Sequence, residues 1–486
     1  MSPYTVPFPR VGALAAALLL AGCASVSPDG LRSEVQAAVQ GRTAGASAQL
    51  PSTDPAAQAK AAEAVRGWLT EPVTADAAVR IALLNNPGLQ ARLAQLGVQD
   101  ADRVQALTLP NPRLALGRLT SGHEREIERT LSFGLVDLLA LPWRARWQGQ
   151  AMQEATLSAA QEVAQLAADA RRAWLRAVAA EQILATQERM HEAADAGAEL
   201  ARRMARVGHW SGLQQAREQA VLADSRAQLA QARLAAATER ENLARVMGLW
   251  GASQHLTLPD RLPPLPAEPL AATDIEARAL RERLDVRAAR STLDRVADQQ
   301  GTRAAANVFG DIGVAYSRNT TTERPSSGHA DVQRGWSLDL PLPVFDWGGA
   351  ASARAEALTR QSAAQLQHTA LQARSEARTR WLAYRTAWDL AQQQAQHVVP
   401  LRQFIQQETL LRYNGMHASV WELLAEARSS AQAVAQAVQT QRDFWLADAD
   451  LQYALTVGSP ASAGAAFGGA AAAPSSSLSN TSTASH

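Results

Sequence analysis

Two hydrophobic periods divide the chain between them. In the long polar-rich stretches, Val163, Leu166, Ala170, Ala173, Ala177 and Leu184 recur at three- and four-residue steps, and Trp381, Tyr384 and Trp388 do the same further on. That spacing gathers small and apolar side chains on one seam of a helix, where a neighbouring helix packs closely. It predicts two very long helices, over 141–206 and 347–412. About 65 residues at ~1.5 Å each reach roughly 100 Å, more than a compact globular domain needs, so such helices pack side by side along a rod or tube. The second period is two. Val308, Gly310, Ile312, Val314 and Tyr316 alternate with Phe309, Asp311, Gly313 and Ser317, and Trp336, Leu338 and Leu340 alternate with Ser337 and Asp339. Ile127, Leu131 and Phe133 alternate with Glu128, Thr130 and Ser132, with Arg129 breaking the apolar face. Strands are predicted at 113–120, 126–134, 307–318 and 336–340. The alternation fits either a lipid-facing barrel strand or a soluble hairpin packed on a core.

The elements come in one order, twice. A helical stretch over 78–108 ends at Pro110 and Pro112; two strands follow, then the first long helix, a break at Gly208 and Gly212, and a return helix ending near Gly248. A helix over 275–305 opens the second set, which has two strands around a polar loop, the second long helix, a break at Gly415, and a return helix over 419–457. A duplication with a period of about 200 residues requires both halves to adopt one supersecondary unit. Four strands cannot close a membrane barrel, which needs at least about eight; three copies would supply twelve.

Composition narrows the setting. The chain has 486 residues and is nearly charge-balanced, with 47 Lys and Arg against 46 Asp and Glu. No broad basic field points to nucleic acid. Near the start, Val11 to Leu20 is an apolar run too short to span a bilayer, and Leu20-Ala21-Gly22-Cys23 follows with the only cysteine of the chain. This resembles the lipobox of bacterial lipoproteins. The resemblance implies a signal peptide over 1–22, lipid on Cys23, and, with Ala24 and Ser25 next, the outer membrane. After Cys23 no apolar run is long enough for a spanning helix, so membrane entry would require strands of a closed barrel.

Several motifs then resemble the TolC-like outer-membrane efflux family. The most specific is Ser337-Leu338-Asp339-Leu340-Pro341-Leu342-Pro343-Val344-Phe345-Asp346-Trp347-Gly348-Gly349, similar to the family's junction between last strand and long helix. Arg412-Tyr413-Asn414-Gly415-Met416-His417-Ala418-Ser419-Val420-Trp421-Glu422 resembles its helix-tip turn, with Arg206-Val207-Gly208-His209-Trp210-Ser211-Gly212 as first-repeat partner. Asn85-Asn86-Pro87-Gly88-Leu89 resembles its Asn-Pro-x-Leu opening. The resemblance implies a mainly α fold with membrane strands: a homotrimer whose 12-stranded β-barrel continues into a periplasmic α-helical barrel. Its segments would be 23–73 (anchor and belt), 74–250 (first repeat), 251–273 (linker and belt), 274–458 (second repeat) and 459–486, an Ala/Gly/Ser/Thr-rich tail that reads as disordered. The implied role is the exit channel of tripartite efflux, docked to a periplasmic adaptor and an inner-membrane pump. Drug ducts and a lipid-anchored periplasmic rod are the alternatives.

Few side chains should be essential in a duct. The family's adaptor contacts sit at the helix tips, which brings in Arg206, Gly208, Tyr413, Gly415, Met416 and Ser419, with both glycines expected to supply the positive φ of a tight reversal. Glu422 lies near the family's acidic pore constriction, and three copies would form a carboxylate ring favouring cations. Ala425 stands where a second acidic ring would fall, and Glu426 is off register. His209, His417 and Met416 offer soft or borderline metal donors but no ligand pair at metal spacing. No phosphate loop, nucleophile elbow or zinc His pair is present, so no enzyme, cofactor or resident metal is expected. The Pro-Leu-Pro junction and Glu124-Arg125-Glu126-Ile127-Glu128-Arg129 resemble the heavy-metal branch of the family, which implies metal cations as cargo.

Overall fold

A computed structural model describes residues 25–458 apart from 44, 109–110, 122–123, 252–255, 272, 310–312, 324–329 and 340–348. Cys23, the Pro-Leu-Pro junction and the tail over 459–486 lie outside the described residues. The first repeat comprises α3 (Ala75–Asn85), α4 (Pro87–Leu107), β1 (Arg113–Ser121), β2 (Glu124–Gly134), α5 (Leu135–Arg206) and α6 (Gly212–Val246), preceded by α1 (Arg32–Val39) and α2 (Pro55–Trp68). The second comprises α7 (Ile275–Glu282), α8 (Leu284–Phe309), β3 (Gly313–Glu323), β4 (Ala330–Asp339), α9 (Gly349–Gln393), α10 (Val399–Asn414) and α11 (Val420–Thr456). The order of the duplication read from the sequence is therefore present, with the single long helix α5 matched in the second repeat by α9 and α10 in succession.

The opening helix of each repeat is broken, where the periodicity had predicted one helix each. In the first, Asn86 sits in extended conformation between α3 and α4, and its side chain accepts from the Gly88 and Leu89 amides as the N-cap of α4, ahead of Pro87 in the first turn. Its amide group also donates to the Val246 carbonyl at 2.9 Å, while that of Asn85 donates to Gly248 O at 2.6 Å. The Asn-Asn-Pro motif thus clamps the end of α6 onto the start of the repeat. In the second, the chain turns at Arg283, which is 1% exposed and lies between Asp285 and Glu376 at 2.6 and 2.9 Å. Burial works against its charge, and those two carboxylates outweigh it and raise the Arg283 pKa.

Two boundaries differ from the periodicity. The strand expected from 307 begins at Gly313, because α8 runs on to Phe309. The polar loop expected between the strands at 307–318 and 336–340 is mostly strand: β3 extends through Thr320, Thr321 and Thr322 to Glu323, and β4 begins at Ala330. Threonine is β-branched and polar, so it serves a strand while imitating loop composition. The second long helix also carries a π-turn over Gln394–Val398 before α10. Pro400, which has no N–H to donate, lies just beyond it. The α5 helix is continuous over 72 residues.

The core forms where helices meet around the middle of α5. Val163, Ala167, Ala170, Ala177 and Val178 are buried against Val79, Leu83, Leu243 and Met247. Leu166 and Leu184 are half-buried, and Tyr384 and Trp388 are buried in a second cluster with Phe444 and Leu451. Alanine at so many seam positions lets the helix axes approach closely. The Pro-rich segment after α6 crosses this region, its carbonyls captured by indoles: Trp445 Nε1 donates to Pro263 O at 3.0 Å and Trp388 Nε1 to Pro266 O at 3.2 Å. On the other side Trp174 Nε1 donates to Val73 O at 2.6 Å. Among the described residues no helix is long and apolar enough to cross a membrane.

Candidate functional site

The two helix tips are copies of one turn. In the first, the His209 amide donates to Met204 O at 3.0 Å and the Gly208 amide to Ala205 O at 3.1 Å. In the second, His417 donates to Arg412 O at 2.8 Å and Met416 to Tyr413 O at 3.0 Å. The six-to-one bond identifies a Schellman-type stop, whose penultimate residue must adopt left-handed backbone. That residue is Gly208 at φ 80° in the first tip and Met416 at φ 62° in the second. Gly415 is at φ −81°, so the expectation that it supplies the positive φ is corrected. The His417 bond places the left-handed position one residue later, on a methionine.

Each turn leads into an identical cap. Ser211 and Ser419 accept from the backbone three residues on, and the side chains of Gln214 and Glu422 return the bond to the serine amides at 2.9 Å. The exposed Glu422 carboxylate is therefore the N3 partner of a capping box and occupies the place of Gln214 in the first repeat. The cap uses one carboxylate oxygen of Glu422, and the amide of Gln214 makes the same bond in the first repeat.

One contact joins the two tips. Trp210 and Trp421 stack with ring centroids 4.2 Å apart and planes 18° from parallel. Below them Arg428 reaches the buried Glu218 at 3.5 Å. Both tryptophans lie inside the turn motifs, but their pairing depends on how the hairpins sit side by side, which sequence spacing does not encode. Around the stack the surface is apolar: Val207 (66% exposed), Leu213 (63%) and Met416 (94%) point outward beside Tyr413. Arg206 and Ser419 are exposed there too. Among the described residues no three His, Cys, Asp or Glu converge as a metal site, and His209 and His417 stand on separate tips.

At the other end the strands form one antiparallel sheet in the order β1-β2-β3-β4. The central β2–β3 pair joins the repeats, with Leu131 opposite Tyr316 and Glu128 opposite Asn319. Register sorts the side chains onto two unlike faces. One carries Leu114, Leu116, Ile127, Leu131, Val314, Tyr316, Val332, Trp336 and Leu338, with Arg118, Arg125, Arg129, Arg318 and Arg334. Tyr316 and Trp336 meet on it with centroids 5.0 Å apart, and Trp336 is 77% exposed. The opposite face is small and polar (Ala115, Gly117, Thr130, Ser317, Asn319, Gln333, Gly335) and carries Glu126, Glu128, Asp331 and Asp339. Asn319 Nδ2 donates to Glu126 Oε1 across it at 3.0 Å. Period-two alternation in the sequence predicts the faces of β2, the start of β3 and the end of β4; the faces of β1 and the charge sorting appear only when the strands are put in register.

A four-stranded sheet with two open edges stands on two long helical hairpins. The chain matches no protein-family model and no curated protein. Solved structures match it over most of its length. CusC, whose crystal structures concern folding and transmembrane channel formation, is 18% identical with a TM-score of 0.63 over 80% of this chain and 93% of its own. The CmeC outer membrane channel of Campylobacter jejuni is 15% identical, with a TM-score of 0.63 over 78% of this chain and 85% of its own. The open-state MtrE outer membrane channel of Neisseria gonorrhoeae is 19% identical, with a TM-score of 0.60 over 78% and 88%. The chain has the TolC-like outer-membrane channel fold.

Proposed function

We propose that this chain is the protomer of a homotrimeric outer-membrane exit channel of a tripartite efflux system, anchored by lipid on Cys23 and built to pass cations. The observation that carries the proposal is the sheet with two unlike faces. Its apolar face is exposed and large, which a water-soluble hairpin would bury. Both β1 and β4 leave an open edge, and unpaired strand edges do not persist in lipid. Three copies close those edges into twelve strands, lipid outside and the polar face lining a lumen. That lumen then holds Glu126, Glu128, Asp331 and Asp339 three times over, and rings of carboxylates favour cations over anions. The acidic lining supports heavy-metal cations as cargo, with charge selection exerted in the barrel.

The helical hairpins extend away from the membrane, and the exposed apolar tips with Arg206, Gly208, Tyr413, Gly415, Met416 and Ser419 form the surface for the periplasmic adaptor, which in turn couples to the inner-membrane pump. The work is passive conduction and needs no catalytic group. Electron microscopy of the detergent-extracted protein should show threefold particles with a tube of roughly 100 Å; monomers or filaments would overturn the proposal. In planar bilayers under a salt gradient the reversal potential should report cation preference. Replacing Glu126, Glu128, Asp331 and Asp339 by their amides should abolish it. Deleting the gene should raise sensitivity to copper or zinc; a change confined to antibiotics would assign the channel to drugs.

A further inference from the structure

Strand register brings together three arginines that are far apart in sequence. Arg129 on β2 stands opposite Arg318 on β3, which stands opposite Arg334 on β4. All three are exposed, and none meets a carboxylate among the described residues. Directly opposed residues of an antiparallel pair lie about 4.5–5.5 Å apart, and like charges so placed destabilise the pairing. The nearby acids cannot relieve the row, because Glu126, Glu128, Asp331 and Asp339 project from the other face. A row of this kind is compensated by an anion from outside the chain.

Its position says which anion. On the helix side of the row the same face is apolar, with Leu114, Leu131, Tyr316 and Trp336 in one cross-strand line and Val314 with Leu338 beyond. On the side of the β1–β2 connection the face becomes mixed, with Arg118, Ile127, Thr320 and Val332 in the next cross-strand line and Arg125 and Thr322 in the one after. The row therefore ends the apolar band. A cationic side chain on the lipid face is costly at the bilayer midplane and nearly free at the interface, which sets the row at the boundary away from the helices. Guanidinium groups are planar forks that hold phosphate oxygens in pairs.

We propose that Arg129, Arg318 and Arg334 bind the phosphates of a phosphorylated glycolipid in the outer leaflet, forming three copies of one lipid site around the barrel. This rests on the barrel reading above, in which the helices are periplasmic and this face meets lipid.

Native mass spectrometry of the full-length protein in detergent tests it. The probes are bis-phosphorylated lipid A, the same lipid with its phosphates removed, and inorganic phosphate. The expected result is retention of the phosphorylated lipid at least tenfold better than its dephosphorylated form. The combined Arg129→Gln, Arg318→Gln and Arg334→Gln variant should lose that preference, and the three Arg→Lys changes should keep most of it. If the combined variant does not assemble, Arg318→Gln alone, at the centre of the row, should weaken retention about threefold. Equal retention of both lipids by the wild type, or unchanged preference in the Gln variants, overturns the site. Displacement of the lipid by millimolar inorganic phosphate would reduce it to a plain anion site and overturn the lipid assignment. The same spectra report mass: a wild type without trimers would overturn the channel proposal, whereas trimers without lipid preference would overturn only this one.

Discussion

Replacing Gly248 and Gly208 by alanine separates two effects that a left-handed glycine combines. Both have positive φ, 69° and 80°, and an alanine there costs about 1–2 kcal/mol in backbone strain. Reduced freedom of the unfolded chain returns about 0.4–1 kcal/mol. At Gly208 nothing lies within 4 Å of an added Cβ, so Gly208→Ala should cost about 1 kcal/mol. At Gly248 the new Cβ would lie 2.7 Å from the Asn85 carbonyl oxygen and 3.0 Å from Asn86 Cα. Those atoms are backbone and cannot rotate away. Relief requires drawing the end of α6 back from the α3–α4 break, which strains the bonds from Asn85 to Gly248 O and from Asn86 to Val246 O. Each is worth about 0.5–1.5 kcal/mol, so Gly248→Ala should cost about 3 kcal/mol.

The assay is denaturant unfolding of both variants in one detergent at one protomer concentration, since an oligomer's midpoint depends on concentration. The slope should stay constant while the Gly248→Ala midpoint falls well below that of Gly208→Ala. An Asn85→Ala, Gly248→Ala double variant should be less than additive, because the bond is already lost. A Gly248→Ala cost within about 0.5 kcal/mol of the Gly208→Ala cost would refute the clamp, since a difference that small is no larger than the scatter between independent sites.

Met416→Gly should stabilise the second tip by up to about 1 kcal/mol, since the first repeat already uses glycine there; if adaptor cross-linking falls while stability rises, the methionine is kept for contact. Glu422→Gln should leave both stability and cation selectivity unchanged, because Gln214 makes the same cap, and altered selectivity in bilayers would restore a pore role for this carboxylate. Trp421→Ala removes the stack on Trp210 and should cost about 1–2 kcal/mol, read as faster hydrogen exchange at both tips together. Asp448, half-buried on α11, has its pKa raised by burial, partly opposed by Arg171. A raised carboxyl pKa contributes stability below its unfolded value that is lost as pH rises through the folded value, so Asp448→Asn should stabilise at pH 7 and be neutral below about pH 4.

Much of this fold is local information repeated twice. The seam from Val163 to Leu184 and the Trp381, Tyr384 and Trp388 stripe predicted the long helices, and the ends of α5 and α10 fall at the expected turns. Alignment of the two tips by their glycines misplaced the left-handed residue by one. The backbone bonds set that position, and nothing in the side chain of a methionine announces positive φ. The break at Arg283 was hidden for another reason: apolar periodicity continues across it, and one of the two carboxylates that fix it, Glu376, is distant in sequence. At Asn86 the local signal, an asparagine cap ahead of Pro87, was present and periodicity alone passed over it, while the clamp partners Val246 and Gly248 are distant.

Arg129 shows most clearly what one strand cannot say. Taken alone it is a flaw in an apolar face. With Arg318 and Arg334 brought beside it by register, it belongs to a line, and the acidic residues of the same strands all fall on the reverse side. Random placement would mix the signs on each face; here every strand acid falls on one face and every strand arginine but Arg113 on the other, while Leu119 is the apolar exception on the acidic face. A soluble hairpin has no use for both an exposed indole at Trp336 and an uncompensated arginine row one register step away. The barrel wall proposed above would use both, with hydrocarbon against the indole, phosphate against the guanidiniums, and a stream of cations against the carboxylates behind them.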